Sequence, residues 1–186
     1  MRPHDLAPAE GEPVAAVVLL HPHPEMGGDR LNNVVTALYL ALPPAGLTAL
    51  RFDFGSSDFA AAEAEVIEAL DLLDGVDALA GRPRFVAGYS FGGGVGATVT
   101  DDRVAGWFLA APALSMVTPS IGTDPRPKAI VAAEHDQFFA PAQLQATTEG
   151  WTNTELTTVA GADHFFVGRT DALATRCVEW IRQVAP

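Results

Sequence analysis

The chain has 186 residues, 48% hydrophobic and 18% charged, which suits one globular domain with a sizeable core and leaves too little for two. Eleven Lys and Arg against 23 Asp and Glu give a formal net charge of −12, which repels phosphate backbones and argues against a nucleic-acid partner. Lys128 is the only lysine, so no polybasic patch exists to dock an anionic membrane.

Residues 1–13, MRPHDLAPAEGEP, lack the apolar core of a secretory leader, and no later run is long enough to span a bilayer. The expected setting is cytoplasmic and reducing. His4 falls in this tail and is expected to face solvent. VAAVVLL (14–20) is the first strand. It runs into LLHPHPEMGGD (19–29), a loop with two histidines, two prolines and two glycines. NNVVTALYLAL (32–42) has helical spacing, begins at an Asn that can cap, and stops before Pro43-Pro44. LTALRFDF (47–54) is a strand. DFAAAEAEVIEALDLLDGVDALAG (58–81) is rich in Ala, Leu and Glu and is expected to be one helix.

RFVAGYS (84–90) is a third strand, and FGGGVGATV follows it. Together they place GYSFG (88–92), a G-x-S-x-G pattern, between a strand and a helix over 93–99. A lone pattern of this kind arises by chance as an ordinary glycine-rich turn. The strand before it and the helix after it are the setting in which such a serine takes a strained backbone and points its hydroxyl into the crevice. VAGWFLAA (104–111) and KAIVAAE (128–134) are further strands, separated by residues 112–127, which show no period. AEHDQFF (133–139) follows the second of them. A helix over 140–150 leads to the last strand, TELTTVAG (154–161), and to GADHFF (161–166). TDALATRCVEWIRQV (170–184) is the final helix, capped by Thr170. It carries Cys177, whose solitude excludes an internal disulfide and whose apolar setting makes it a buried thiol.

Several of these strands are continuous apolar runs, as strands covered on both faces are. Strand alternating with helix predicts an α/β fold: a doubly wound, mostly parallel sheet of about six strands in a single domain spanning 1–186. Chemistry in such sheets gathers beyond the carboxyl ends of the strands. Ser90, Asp136 and His164 all fall there. Ser90 is the candidate nucleophile, His164 its base, and Asp136 the acid that holds the imidazole tautomer. Glu134, still within its strand, and Asp163, adjacent to His164, are the rival acids. His135 is expected to be a loop histidine without a role.

The H-x-H of residues 21–23 admits two readings. Metal binding is the weaker, because zinc needs three or four ligands and no companions stand nearby. The stronger is a loop that supplies one of two backbone N–H groups to a tetrahedral intermediate. Phe91, after the nucleophile, supplies the first. Pro22 and Pro24 cannot donate, which leaves His23 and Glu25 for the second, and His23 is preferred.

HPHPEMGG, NNVV, LRFDF, GYSFGG and GADHFF, in this order, resemble the small, minimal bacterial α/β-hydrolases related to dienelactone hydrolases. The resemblance covers nearly the whole chain. It implies a minimal α/β-hydrolase fold without a lid domain and a triad of Ser90, Asp136 and His164. Dienelactone hydrolases proper use a cysteine where this chain has Ser90. The chain also departs after the second strand, where RFDFGSSDF (51–59) is shorter than the corresponding loop of relatives.

The expected activity is hydrolysis of a small-molecule ester, thioester or related acyl bond through an acyl-enzyme, with no metal or organic cofactor. Alternatives are an acyltransferase or peptidase using the same triad, or a non-catalytic binding module on a hydrolase fold. The apolar side chains expected at the mouth are Met26, Phe54, Phe59, Met116, Phe138, Phe139 and Phe165. Oligomeric state is not written in the sequence.

Overall fold

Every residue of β2 (Ala15–Leu20) and of β4 (Arg84–Tyr89) is buried, as the unbroken apolar runs require of strands covered on both faces. The computed structural model describes residues 2–185. The other strands are β1 (His4–Ala7), β3 (Leu47–Phe52), β5 (Val104–Ala110), β6 (Lys128–His135) and β7 (Thr154–Asp163). They form one seven-stranded sheet in the order β1-β3-β2-β4-β5-β6-β7. All pairs are parallel except β1 with β3.

The helices are α1 (Asn33–Ala41), α2 (Phe59–Asp74), α3 (Phe91–Gly96), α4 (Pro141–Thr148) and α5 (Thr170–Val184). Helices α1 and α5 cover one face, packing Val34, Leu38, Leu173 and Ile181 against Val17, Leu19 and Phe85. Helices α2, α3 and α4 cover the other, where Val66, Leu70, Val95 and Leu144 meet Val18, Val86 and Ile130. Cys177 lies wholly inside the first layer, and burial pushes its thiol pKa up.

The sheet has one strand more than expected. β1 is four residues long, and His4, though exposed, belongs to it. Helix α2 also stops short of the expected residue 81. It ends at Asp74, with Gly75 at the cap, and only a 3-10 turn, Asp77–Leu79, follows. Asn32 caps α1 as expected, its side chain accepting from the Val34 N–H at 3.0 Å. Thr170 does not cap α5. It is the first helical residue, and Arg169 occupies the cap position without a side-chain bond.

No lid is inserted after β5. Residues 112–127 hold two 3-10 turns, Leu114–Met116 and Ile121–Thr123. The segment is then pinned to the sheet by Asp124 and Arg126. The Asp124 carboxylate accepts from Arg126 N–H at 2.9 Å, Nε at 2.9 Å and Nη2 at 2.6 Å. Arg126 Nη1 also donates to the carbonyls of Asp101 and Val104 at 2.7 and 2.6 Å, and its guanidinium lies 4.6 Å from the Trp107 ring centroid. Lys128 is 1% exposed, and its Nζ donates to the Asp124 and Arg126 carbonyls at 2.6 and 2.7 Å.

The hydrogen bond from Arg126 draws the Asp124 pKa down to about 2, burial notwithstanding. A carboxyl depressed on folding stabilises above its unfolded value, and that stability fades as pH falls through the folded value. Thermal unfolding should therefore lose stability between about pH 4 and about pH 2. Asp124→Asn should flatten this acid limb and leave its other carboxylates' contributions in place, as calorimetry across that range would read.

Candidate active site

Ser90 stands at the carboxyl end of central strand β4 with φ 54° and ψ −114°, a conformation side chains rarely adopt. Such backbones cost on the order of 1–3 kcal/mol and persist only where surrounding bonds impose them. Here the Ser90 N–H donates to the Ala110 carbonyl at 3.0 Å, and the Ser90 carbonyl accepts from Gly94 and Ala113 at 3.0 and 2.9 Å. The small residues around the serine follow from crowding. A Cβ on Gly88 would lie 2.3 Å from the Gly92 oxygen, and one on Gly92 would lie 2.4 Å from the Leu20 oxygen. Strand and helix thus meet at backbone distance, and the serine is turned outward between them.

Asp136 follows β6 and His164 follows β7, both at the same sheet end as Ser90. His164 Nε2 is 3.1 Å from Ser90 Oγ, and His164 Nδ1 is 2.8 Å from Asp136 Oδ2. The other Asp136 oxygen accepts from the Phe138 and Phe139 N–H groups at 2.8 and 2.9 Å. Burial alone would raise the Asp136 pKa, but the bonds from His164, Phe139 and Phe138 outweigh it and hold the carboxyl below its usual range. An ionised Asp136 only accepts, so Nδ1 carries the proton and the Nε2 lone pair faces the serine hydroxyl.

The loop bearing His164 is held from two sides. Tyr89 donates its hydroxyl to the His164 carbonyl at 3.0 Å, and burial keeps that phenol protonated by raising its pKa. Asn33 Nδ2 donates to the Phe165 carbonyl at 3.2 Å. The two rival acids are engaged elsewhere. Glu134 accepts from the Gly161 N–H at 2.7 Å, and Asp163 accepts from the Val167 N–H at 3.2 Å. His135 is largely exposed and faces Glu134 at 3.7 Å.

His23 and Phe91 share one wall of the cleft beside Ser90, their rings edge to face with centroids 5.1 Å apart. Among the described residues neither backbone N–H meets an acceptor. Phe91 opens α3, where no earlier turn supplies a carbonyl. Glu25, the other candidate, does not line the cleft, and its side chain accepts from Ser57 Oγ at 2.7 Å.

His21 has a role that residue spacing did not reveal. Its Nε2 accepts from the Phe54 N–H at 2.8 Å, which leaves Nδ1 to donate to the Pro22 carbonyl at 2.6 Å. It is buried as the neutral ring, its pKa lowered by that burial. His21 therefore ties the loop of His23 to the end of β3. The available signal was its position: an apolar strand running without a break into a histidine followed by proline.

The cleft over Ser90 measures about 310 Å³. Met26, Met116, Phe138, Phe139 and Phe165 line it as expected. Phe54 and Phe59 do not. Phe54 is buried behind the site against His21 and Phe91, with centroids at 4.8 and 5.6 Å, and Phe59 packs on Phe91 at 4.6 Å. A larger groove of about 670 Å³ lies between α4 and β7 and includes none of Ser90, Asp136 and His164.

No family model matches the chain, and no curated protein matches it significantly. Solved structures do. An α/β serine hydrolase homologue from Coxiella burnetii is 27% identical, over 96% of this chain and 90% of that one, with a TM-score of 0.86. A lid-less α/β serine hydrolase from Xanthomonas campestris is 20% identical, over 98% and 89%, with a TM-score of 0.81. A dienelactone hydrolase from Anabaena variabilis is 18% identical, over 98% and 92%, with a TM-score of 0.86. The fold is the α/β-hydrolase fold in its lid-less form, similar to that of small serine hydrolases and of a dienelactone hydrolase. Among the described residues no helix is long and apolar enough to cross a membrane.

Proposed function

We propose that this lid-less α/β-hydrolase fold is a serine hydrolase that cleaves a small ester, thioester or related acyl bond through an acyl-enzyme. One observation carries the reading: the hydrogen-bonded line from Ser90 Oγ through His164 to Asp136, opening into an apolar cleft. The serine hydrolases among similar structures support it.

Ser90 Oγ attacks the carbonyl carbon as His164 Nε2 takes its proton. Asp136 holds Nδ1–H and stabilises the imidazolium. The carbonyl oxygen, now an anion, takes up the free N–H groups of Phe91 and His23. His164 passes the proton to the leaving oxygen or sulfur as that bond breaks. Water, activated by His164 in turn, releases the acid. Labelling by a fluorophosphonate, with the adduct mapped to Ser90, together with turnover of a panel of esters and thioesters, tests the assignment. Absence of both would overturn it.

The openness of the site sets an expectation for the acyl group. Met26 is 78% exposed and Met116 56%, so the cleft walls bury little of a long chain. Each methylene fully removed from water is worth about 0.8 kcal/mol, and an open wall recovers only part of that. Across p-nitrophenyl esters, kcat/KM should therefore level off after a few carbons. No jump in rate should appear when substrate passes its solubility limit. A steady rise to long chains, or activation on emulsions, would contradict it.

A further inference from the structure

The aromatic residues at the mouth are not spread evenly. Phe138 and Phe165 both pack against His164, with ring centroids 4.9 and 5.5 Å from the imidazole, both edge to face. They also face each other at 6.1 Å and 84°. Unlike the buried imidazole they pack against, these two residues are 51% and 48% exposed. Their backbones are anchored independently of the rings: the Phe138 N–H to Asp136, the Phe165 carbonyl to Asn33.

Position decides what such a pair would touch. In an acyl transfer the proton on His164 Nε2 must reach the leaving atom, so the leaving group lies against His164. The acyl group lies elsewhere around the carbonyl, and the oxyanion faces Phe91 and His23. Rings packed against His164 would therefore contact the alcohol and not the acid.

Building on the serine-hydrolase reading, we propose that Phe138 and Phe165 form a leaving-group subsite that selects esters whose alcohol carries an aromatic ring. The exposed ring faces bury against a flat aromatic group, and edge-to-face geometry adds a preference over a saturated ring of equal size. The open rim admits an alcohol that extends into solvent. In the step itself the C–O bond of the ester breaks, the leaving oxygen takes the proton from Nε2, and an arylalkyl alcohol departs.

Acetate esters test this with one acyl-enzyme common to all. Because kcat/KM reports acylation, leaving-group preference appears there, while kcat converges wherever deacetylation limits. 2-Phenylethyl acetate should exceed n-propyl acetate by about tenfold in kcat/KM, and 2-cyclohexylethyl acetate by about threefold. In the double variant Phe138→Leu/Phe165→Leu both ratios should fall to near one. Fluorophosphonate labelling of Ser90 is run in parallel. If Ser90 is unlabelled and no acetate is hydrolysed, the serine-hydrolase reading itself fails. If Ser90 is labelled but the parent protein shows no phenylethyl preference, or the double variant retains it, the subsite proposal fails alone. The parent series is decisive even if the variant does not fold.

Discussion

Ser90→Ala abolishes labelling by a serine-directed phosphonate and lowers ester hydrolysis by several orders of magnitude, while the protein stays folded. The loss is large because no neighbouring hydroxyl replaces Oγ opposite His164 Nε2. Residual hydrolysis on the order of 10³-fold over water is expected from the Phe91 and His23 amides alone. The fold survives because the bonds that impose the Ser90 conformation run through its backbone, to Ala110, Gly94 and Ala113. The side chain contributes one partly buried hydrogen bond, worth about 1 kcal/mol, or roughly 2–4 °C in Tm for a chain of this size. Steady-state kinetics and a melting curve check both halves. Full activity in this variant would remove the mechanism.

Asp136→Asn should cost about 10⁴-fold in kcat, and the direction follows from its bonds. One carboxylate oxygen accepts from two backbone N–H groups, Phe138 and Phe139, while the other faces His164 Nδ1. An asparagine keeps its carbonyl oxygen on the two amides, which turns its NH₂ toward His164. That group donates, so Nδ1 must accept and the ring proton moves to Nε2. An Nε2–H cannot take the serine proton. Glu134→Gln and Asp163→Asn should change kcat by less than about tenfold, since their oxygens serve Gly161 and Val167. A crippled Asp163→Asn beside an active Asp136→Asn would reassign the acid.

The inner strands, Ser90 and Asp136 were legible in the sequence for one physical reason. Parallel strands covered on both faces need unbroken apolar runs, and polar residues directly after such runs stand out. Ser90 directly follows one and Asp136 lies just past another, whereas His164 follows the mixed, partly exposed edge strand β7 and was legible from its place after the last strand. β1 was not legible, because four residues of mixed polarity pairing at an edge carry too little periodicity to separate from a tail. The end of α2 was obscured because Val76 and Leu79 continue an apolar rhythm past the Gly75 break. His21 was hidden by a stronger neighbour. Its bonds run to backbone groups of Phe54 and Pro22, and a contact across 33 positions leaves no mark in local spacing. Phe54 reads as a mouth residue from its place at the end of a predicted strand; its side chain turns instead into the layer behind Ser90.

Lys128 has a practical consequence for anyone who handles this protein. It is the single lysine, 1% exposed, with its ammonium spent on two carbonyls and its pKa lowered by burial. Succinimidyl dyes, biotin reagents and aldehyde fixatives that seek lysine find no side-chain amine on the native surface. Coupling through lysine would select molecules that have come open. Turned round, that makes Lys128 a built-in reporter. Mass-spectrometric acylation of this one amine, followed over time, would clock the excursions that peel residues 124–128 from the sheet.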